Sequence, residues 1–357
     1  MSHYEARLER DEQDIRDRTL AVAELVHTAL DNAVHALLWG DHKLAHATVL
    51  GDGEINREVR EIDRRCNLFI IRHLPSAGHL RLMSATIRAA ISLERTGDYA
   101  VSIARASVRL SEPPHDRLAS AVKDMARQSS EMLKQAMAAF HDGDADGARR
   151  AMVIADEVEQ LRAAALAELT ASRDGQSIED LFAMFAVFSM LERVSDQAKN
   201  LCEEAVFAAT GETKAKKKYR ILFLDRDNAS LAPMAQAIAQ QHFPNSGVYH
   251  VAAQEPADAL DPATLEFMKA RGNTLDEIVQ AHHLDKMPLG LSDYHVIVSL
   301  DGRVEDYLSD IPFHTATLDW KLESPDGYNE EQFEVLHRAL SLQVRGLIER
   351  LRGPEAD

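Results

Sequence analysis

Two pairs of acidic residues occur at helical spacing in the first half of the sequence. Glu94 and Asp98 are four residues apart, and so are Glu192 and Asp196. Residues at positions i and i+4 lie one turn apart on the same helix face, where two like charges repel unless a cation bridges them. Each pair therefore offers two hard oxygen ligands to a metal ion.

Other oxygen-bearing side chains could complete these pairs. A neighbouring helix could add Asp52 and Asn56 to the first pair and Glu159 to the second. Ligand sets made only of oxygen favour Mg, Mn, Ca or oxidised Fe over zinc-type sites. The alternative is that the acids are solvated positions paired with Arg95 and Arg193. A metal here would be structural or regulatory, because no nucleophile or general base accompanies these residues.

A third candidate site lies in the second half, in the segment ILFLDRDNASLAPMAQAI, residues 221–238. Asp225 and Asp227 follow a short apolar run that is typical of a buried strand, and a helical pattern begins near Leu231. A helix N-terminus favours an anion. The two carboxylates oppose one, since at about 4 Å and an effective dielectric of about 20 each costs an approaching dianion several kcal/mol.

The acidic pairs lie in a long region that is helical throughout. From Met1 to about Thr210, glycine and proline are few and apolar residues recur every three or four positions. Helix ends are predicted where glycine, proline and aspartate cluster. These clusters are Gly40-Asp41, residues 75–78, Pro113-Pro114, residues 142–144 and residues 173–175, and they divide the region into six helices.

This helical region repeats itself. Leu93-Glu94-Arg95, Asp98 and Ala100 recur in the same order as Leu191-Glu192-Arg193, Asp196 and Ala198. Gly40-Asp41 and Ala45 recur as Gly143-Asp144 and Ala148, and Ile55-Asn56 corresponds to Val158-Glu159. Two matches in one order indicate a duplication of three helices, which predicts two three-helix bundles packed side by side. The duplication is incomplete, because Ala155 stands where the first copy has Asp52.

The doubled LERxxD motif, together with the spacing Asp52-Gly-Glu-Ile-Asn56, resembles PhoU proteins over residues 5 to 208. The resemblance implies a regulator of phosphate uptake and of the phosphate-starvation response. It implies two partners, the ATPase of a phosphate ABC transporter and a phosphate-sensing histidine kinase. It also implies metal binding at the acidic motif, and it leaves open whether the chain forms a homodimer.

After Gly211 the sequence no longer shows a continuous helical pattern. A lysine-rich linker, residues 214–218, leads into strand-like runs that alternate with helical patterns. The strands are predicted at residues 219–224, 248–253, 294–300 and 315–318, and the helices at 231–242, from about 261, and at 329–352. Such alternation predicts an α/β domain with a parallel sheet.

This second region is similar to low-molecular-weight tyrosine phosphatases and arsenate reductases, whose fold is flavodoxin-like. Asn228, Pro233, Met234 and Ala235 are in register with the family pattern. The catalytic positions are not: Asp225 stands where the nucleophilic Cys should be, and Leu231 stands where the phosphate-binding Arg should be. Ser324-Pro325 replaces the late general-acid pair. The resemblance therefore implies a phosphatase fold without its chemistry.

A rival interpretation is that FLDRDNAS resembles the DxD motif of haloacid-dehalogenase phosphatases. Asp225 would then be the nucleophile and Asp227 the acid/base beside Mg. Ala229 argues against it, because that family has Thr or Val there. This alternative gives a Mg-dependent phosphatase tethered to a helical targeting module.

Composition narrows the classes of function further. A formal net charge of −18 argues against a nucleic-acid binder. Two distant cysteines fit a reducing compartment, and no stretch is apolar enough to span a bilayer. We therefore expect a cytoplasmic, non-enzymatic regulator that meets membranes only through partners. Its predicted domains are the repeats at 1–112 and 113–211, a linker at 212–218, and a phosphatase-like domain at 219–357.

Overall fold

The structure is a computed structural model that describes residues 3–171, 177–214, 216–272, 282–284, 287, 289–323, 327, 329–354 and 356. The chain divides into two compact units, Met1–Lys214 and Ala215–Asp357. The first unit is helical and the second is an α/β domain, so the multidomain prediction is confirmed at the level of fold. The predicted general-acid replacement, Ser324-Pro325, and the break at 173–175 lie outside the described residues.

The first unit has seven described helices instead of the predicted six. The fifth predicted helix is divided into two, because the chain turns at Met152-Val153. Neither residue is a Gly or Pro, so the sequence carries no local signal for this turn. The helices are α1 (His3–Trp39), α2 (His42–His73), α3 (Ala77–Arg109), α4 (Asp116–Asp142), α5 (Ala145–Ala151), α6 (Ile154–Ala171) and α7 (Ile178–Thr210).

The duplicated corners form by the same local chemistry in both repeats. Gly40 and Gly143 follow α1 and α4 with φ values of 66° and 69°, a left-handed conformation that glycine adopts without strain. Asp41 and Asp144 then accept the N–H of the residue three positions on and cap the next helix. The repeat seen in the sequence is therefore a repeat of turns as well as of helix faces.

The two repeats do not have separate cores. One apolar cluster combines residues of α1, α2 and α3, such as Val26 and Met83, with residues of α4, α5 and α7, such as Met132 and Leu201. A second cluster also draws on both repeats, for example Leu30 and Ile103 with Val122 and Phe188. Helices α3 and α7 pack along each other. The two predicted bundles therefore pack against each other through apolar clusters to which both repeats contribute.

The second unit is built on a parallel sheet. Its strands are β1 (Tyr219–Asp225), β2 (Gly247–Ala253), β3 (His282–His283), β4 (Val296–Ser299) and β5 (Ala316–Asp319), in the order β3-β2-β1-β4-β5. The described helices are α8 (Leu231–His242), α9 (Pro262–Ala270), α10 (Val304–Tyr307) and α11 (Glu330–Arg352). The four longer strands follow the flavodoxin-like order, and the two-residue β3 lies beyond β2.

The topology fixes where a ligand would meet this sheet. The chain leaves β1 towards β2 on one side and returns on the other side at β4. In parallel sheets, ligands bind outside the carboxyl ends of the strands at such a switch point. Asp225 ends β1 and Asp301 follows β4, so both lie at this position.

Candidate functional site

The first acidic cluster lies where α2 and α3 approach closely. Gly97, between Glu94 and Asp98, makes the approach possible, because a Cβ there would lie 3.3 Å from Ile55 Cδ1 and 3.7 Å from Asp52 Oδ1. The structure therefore brings Asp52 of α2 to the motif of α3, as the sequence predicted.

Within this cluster, two oxygens remain available for a cation. Asn56 Nδ2 donates a hydrogen bond to Asp52 Oδ2 at 2.7 Å. Asp52 Oδ1 and Asn56 Oδ1 are buried without a hydrogen-bond partner among the described residues. Loss of hydration raises the pKa of Asp98, the charge of Asp52 raises it further, and Arg105 lowers it. Glu94 lies half-buried one turn before Asp98.

The second acidic cluster differs because an arginine faces it. Arg162 of α6 donates a hydrogen bond from Nη1 to Glu192 Oε1 at 3.1 Å, and its Nε lies 3.0 Å from Oε2. Burial raises the pKa of Glu192, Arg162 lowers it, and the charges of Asp196 and Glu159 raise it. The protein's own guanidinium therefore supplies the cation that these three acids attract.

Arg162 is a functional residue that the sequence reading missed. The expected ionic partner, Arg193, stacks over the ring of Tyr99 instead, with 5.9 Å from its guanidinium carbon to the ring centre. The repeat held the signal, since Ile55 corresponds to Val158 and Arg162 therefore corresponds to Val59. In the second copy an acid has been lost at Ala155 and a base gained at Arg162.

The two clusters differ in how well they fit a metal ion. The donor set of the first is all oxygen and includes two unpartnered oxygens, which suits a hard cation. The second already holds a positive group against Glu192. Across the described ranges, no group of three or more His, Cys, Asp or Glu side chains is arranged to hold a metal ion.

In the second unit, the loop after β1 is filled by its own carboxylate. Asp225 Oδ1 accepts the N–H of Asn228 at 2.6 Å, and Oδ2 accepts the N–H of Ala232 at 2.8 Å. Ser230, the residue before α8, makes no capping hydrogen bond through its side chain. Asp225 thus caps α8 and takes amide groups that would otherwise face a free anion.

The Asp225 side chain is buried and its oxygens are occupied by backbone N–H groups. Its side chain is 2% exposed. This burial raises its pKa to about 7, the hydrogen bonds from Ala232 and Asn228 lower it, and the charges of Asp227 and Asp301 raise it. A nucleophilic carboxylate has to be ionised and open to its substrate. Here both carboxylate oxygens accept hydrogen bonds from backbone N–H groups.

The other predicted loop residues are arranged around the same carboxylate. Asp227 is exposed and accepts the N–H of Ala229 at 2.9 Å. Asn228 has a left-handed φ of 54° and a buried carboxamide, and Leu231 is buried in the first turn of α8. The side chain of Leu231 is uncharged and packs into the apolar core of the second unit.

One further residue of this site was not predicted. Asp301, after β4, accepts the N–H of Arg226 at 3.2 Å and the hydroxyl of Tyr307 at 2.6 Å. Its charge, like that of Asp227, raises the pKa of Asp225. Its position after an apolar strand was the available signal, but only the sheet order shows that β4 lies next to β1.

The family comparison covers both repeats of the first unit. The protein-family model described as "PhoU domain" matches residues 19–107 and 122–205. A "Phosphate-specific transport system accessory protein PhoU homolog" of Pseudomonas aeruginosa is 30% identical over 212 residues, which are 58% of this chain and 88% of that protein.

Solved structures give a similar result. The crystal structure of PhoU from Pseudomonas aeruginosa matches with a TM-score of 0.54 and 31% identity, over 57% of this chain and 99% of that chain. "An arsenate reductase in the phosphate binding state" matches with a TM-score of 0.32 and 20% identity, over 37% of this chain and 98% of that one. The second likeness is too low to carry an argument about chemistry.

Among the described helices, none combines the length and the apolar composition that a membrane span requires.

Proposed function

Because the chain belongs to the PhoU family, we propose that it is an accessory regulator of a phosphate transport system. The observation that carries this proposal is the match of both repeats to the family, together with the similarity to proteins named for that system. The long, partly exposed helices of the first unit offer faces that suit docking to other proteins.

We propose that its partners are the ATPase of the phosphate transporter and a phosphate-sensing histidine kinase, met on the cytoplasmic side of the membrane. The acidic surface that follows from the net charge of −18 favours protein partners with basic surfaces over nucleic acid. The direct test is genetic. Deletion of the gene should change the expression of phosphate-starvation genes at a given phosphate concentration, and the wild-type gene should restore it. An unchanged response to phosphate in the deletion strain would contradict the proposal.

For the first repeat we propose a metal site formed by Asp52, Asn56, Glu94 and Asp98. It is supported by the all-oxygen donor set and by the unpartnered oxygens of Asp52 and Asn56. A bound Mg, Mn or Fe ion would neutralise the carboxylates, and these residues would hold α2 against α3. The role of such an ion is structural or regulatory.

For the second unit we propose a binding or regulatory role without phosphatase chemistry. This proposal is supported by the loop after β1, where the Asp225 carboxylate accepts hydrogen bonds from the backbone N–H groups of Asn228 and Ala232. The absence of Cys at Asp225 and of Arg at Leu231 supports it as well. The test is complementation: a chain carrying Asp225→Asn should restore phosphate regulation as well as the wild type does.

A further inference from the structure

One surface of the first unit is apolar and exposed without an evident structural reason. It lies where the end of α6 meets the start of α7, and we name it the α6–α7 patch. Three large side chains of α7 dominate it: Ile178, Phe182 and Phe185 are 68%, 70% and 48% exposed. The patch borders a shallow, open groove of about 320 Å³, which is lined by Leu169, Thr170, Ile178, Leu181, Phe182 and Phe185.

The spacing of the three side chains is that of a recognition stripe. Positions 178, 182 and 185 are separated by four and three residues, so they align along one face of α7. Exposed apolar stripes of this kind mark sites of protein interaction. A helix that presents its own apolar face is the partner that such a shallow groove accommodates.

The first repeat shows that the fold does not require the aromatic residue at the centre of this stripe. Leu93 corresponds to Leu191, so Phe182 corresponds to Ser84 and Glu179 corresponds to Arg81. Ser84 donates no apolar surface, and it accepts a hydrogen bond from Arg88 at 2.7 Å. The first copy keeps apolar residues at the two outer positions, Leu80 and Ile87, so the aromatic centre of the stripe and the acid beside it are particular to the second copy.

Charge limits what could cover the patch. Among described residues 163–171 and 178–191, the charged residues are Glu168, Glu179 and Asp180, and all are acidic. Glu168 is paired with Arg117 at 3.3 Å, so Glu179 and Asp180 at the start of α7 carry the negative charge beside the stripe. A second copy of this chain would bring like charges together, and the chain as a whole carries −18. An anionic lipid surface would be repelled for the same reason. A partner with basic flanks would be attracted.

We propose that the α6–α7 patch docks an amphipathic, basic helix of a partner protein. The apolar face of that helix covers Ile178, Phe182 and Phe185, and its Lys or Arg residues meet Glu179 and Asp180. The inference rests on the proposed function only in taking the occupant to be a protein.

The test uses the full chain and a synthetic probe. The probe is a labelled helix-forming peptide of Leu and Lys, about 18 residues long, with Leu along one face. A scrambled peptide of the same composition keeps the charge and loses the apolar face. We expect fluorescence anisotropy to show tighter binding of the amphipathic peptide. Phe182→Ser, which installs the residue of the first repeat, should weaken that binding about tenfold.

Two controls separate the patch from general acidity. Leu50→Ser alters a side chain of α2 that is 83% exposed and should leave peptide binding unchanged. Ile178→Ser should reproduce the effect of Phe182→Ser. Equal binding of the scrambled peptide, or no effect of either patch substitution, would overturn the inference.

Other occupants would be revealed by the same variants. Self-association in sedimentation velocity that Phe182→Ser abolishes would replace the partner helix with a second copy. Binding to vesicles of anionic lipid that Phe182→Ser abolishes would replace it with a membrane. If peptide binding fails while the chain still associates with the transporter ATPase, this inference fails and the proposed function stands. If the peptide binds but the chain does not associate with the transporter ATPase, the proposed function fails and this inference stands.

Discussion

Arg162 of the second repeat occupies the position that Val59 occupies in the first, and its guanidinium is the cation that faces Glu192. The two copies of one motif have therefore diverged in opposite ways. The first keeps unpartnered oxygens on Asp52 and Asn56, and the second supplies its own positive charge. Several expectations about metal content and stability depend on this difference.

Removal of Arg162 should destabilise the helical unit. Arg162→Gln removes the guanidinium that is hydrogen-bonded to the half-buried Glu192 beside Asp196 and Glu159, so we expect a loss of about 1–2 kcal/mol in the free energy of unfolding near neutral pH. The loss should shrink as the pH falls and Glu192 becomes protonated. Urea unfolding followed by circular dichroism measures it. Arg95→Gln, at an exposed position, is the matched control and should change stability by less than about 0.5 kcal/mol.

Metal content should depend on one repeat only. Elemental analysis of protein loaded with Mg, Mn or Fe should show a loss of bound metal in the double variant Glu94→Ala, Asp98→Ala. The corresponding change in the second repeat, Glu192→Ala with Asp196→Ala, should leave the content as it was. Equal loss in both, or no loss in the first, would show that the difference between the clusters has no bearing on metal binding.

The internal repeat in the sequence predicted many features of the helical unit, but it did not predict how the helices pack. The helix ends at Gly40 and Gly143 were predictable, because glycine in a left-handed conformation followed by a capping Asp is a local signal. The break at Met152-Val153 and the shared core were not, because they arise from packing between repeats. The contact of Arg162 with Glu192 joins positions 30 residues apart. No periodicity within one helix could have shown it.

The same limit applied to the second unit. The four longer strands and α8 were predictable from apolar runs and alternation, and α8 begins at Leu231 as expected. The replacement of Cys and Arg at the loop was also visible. What could not be predicted is that the Asp225 carboxylate turns into the loop and bonds the amides of Asn228 and Ala232. Such a contact depends on side-chain direction.

Asp225 should contribute to the second unit a stability that falls as the pH rises. The pKa of Asp225 is raised from 3.8 to about 7, so the folded state holds its proton more tightly than the unfolded state. The stabilisation is fully present below about pH 4 and is lost as the pH rises towards 7 and above, by up to about 4 kcal/mol. Asp225→Asn should remove this slope.

Trp320 reports on this unfolding, because its ring packs 5.8 Å from that of Phe223 in the second unit. Urea titrations between about pH 4 and 8, with Trp39→Phe as the background, isolate its fluorescence. Asp227→Asn, at an exposed neighbour, should keep the wild-type slope. If Asp225→Asn keeps that slope as well, the buried carboxyl does not titrate as described.

The second unit should not hydrolyse phosphate esters. We expect the wild-type chain with Mg to turn over an aryl phosphate no faster than Asp225→Asn, because both oxygens of Asp225 are bonded to the backbone. Release of the aryl alcohol measures this. Mg-dependent turnover that Asp225→Asn abolishes would identify an active phosphatase and overturn the proposed role of the second unit.

Association with the phosphate transporter tests the central claim most directly. The tagged full chain is purified from its own cells, grown at low and at high phosphate, and the transporter ATPase that accompanies it is quantified by mass spectrometry. The account predicts that the ATPase is enriched over an untagged control, by an amount that changes with phosphate. An ATPase signal at the level of the untagged control in both conditions would contradict the account.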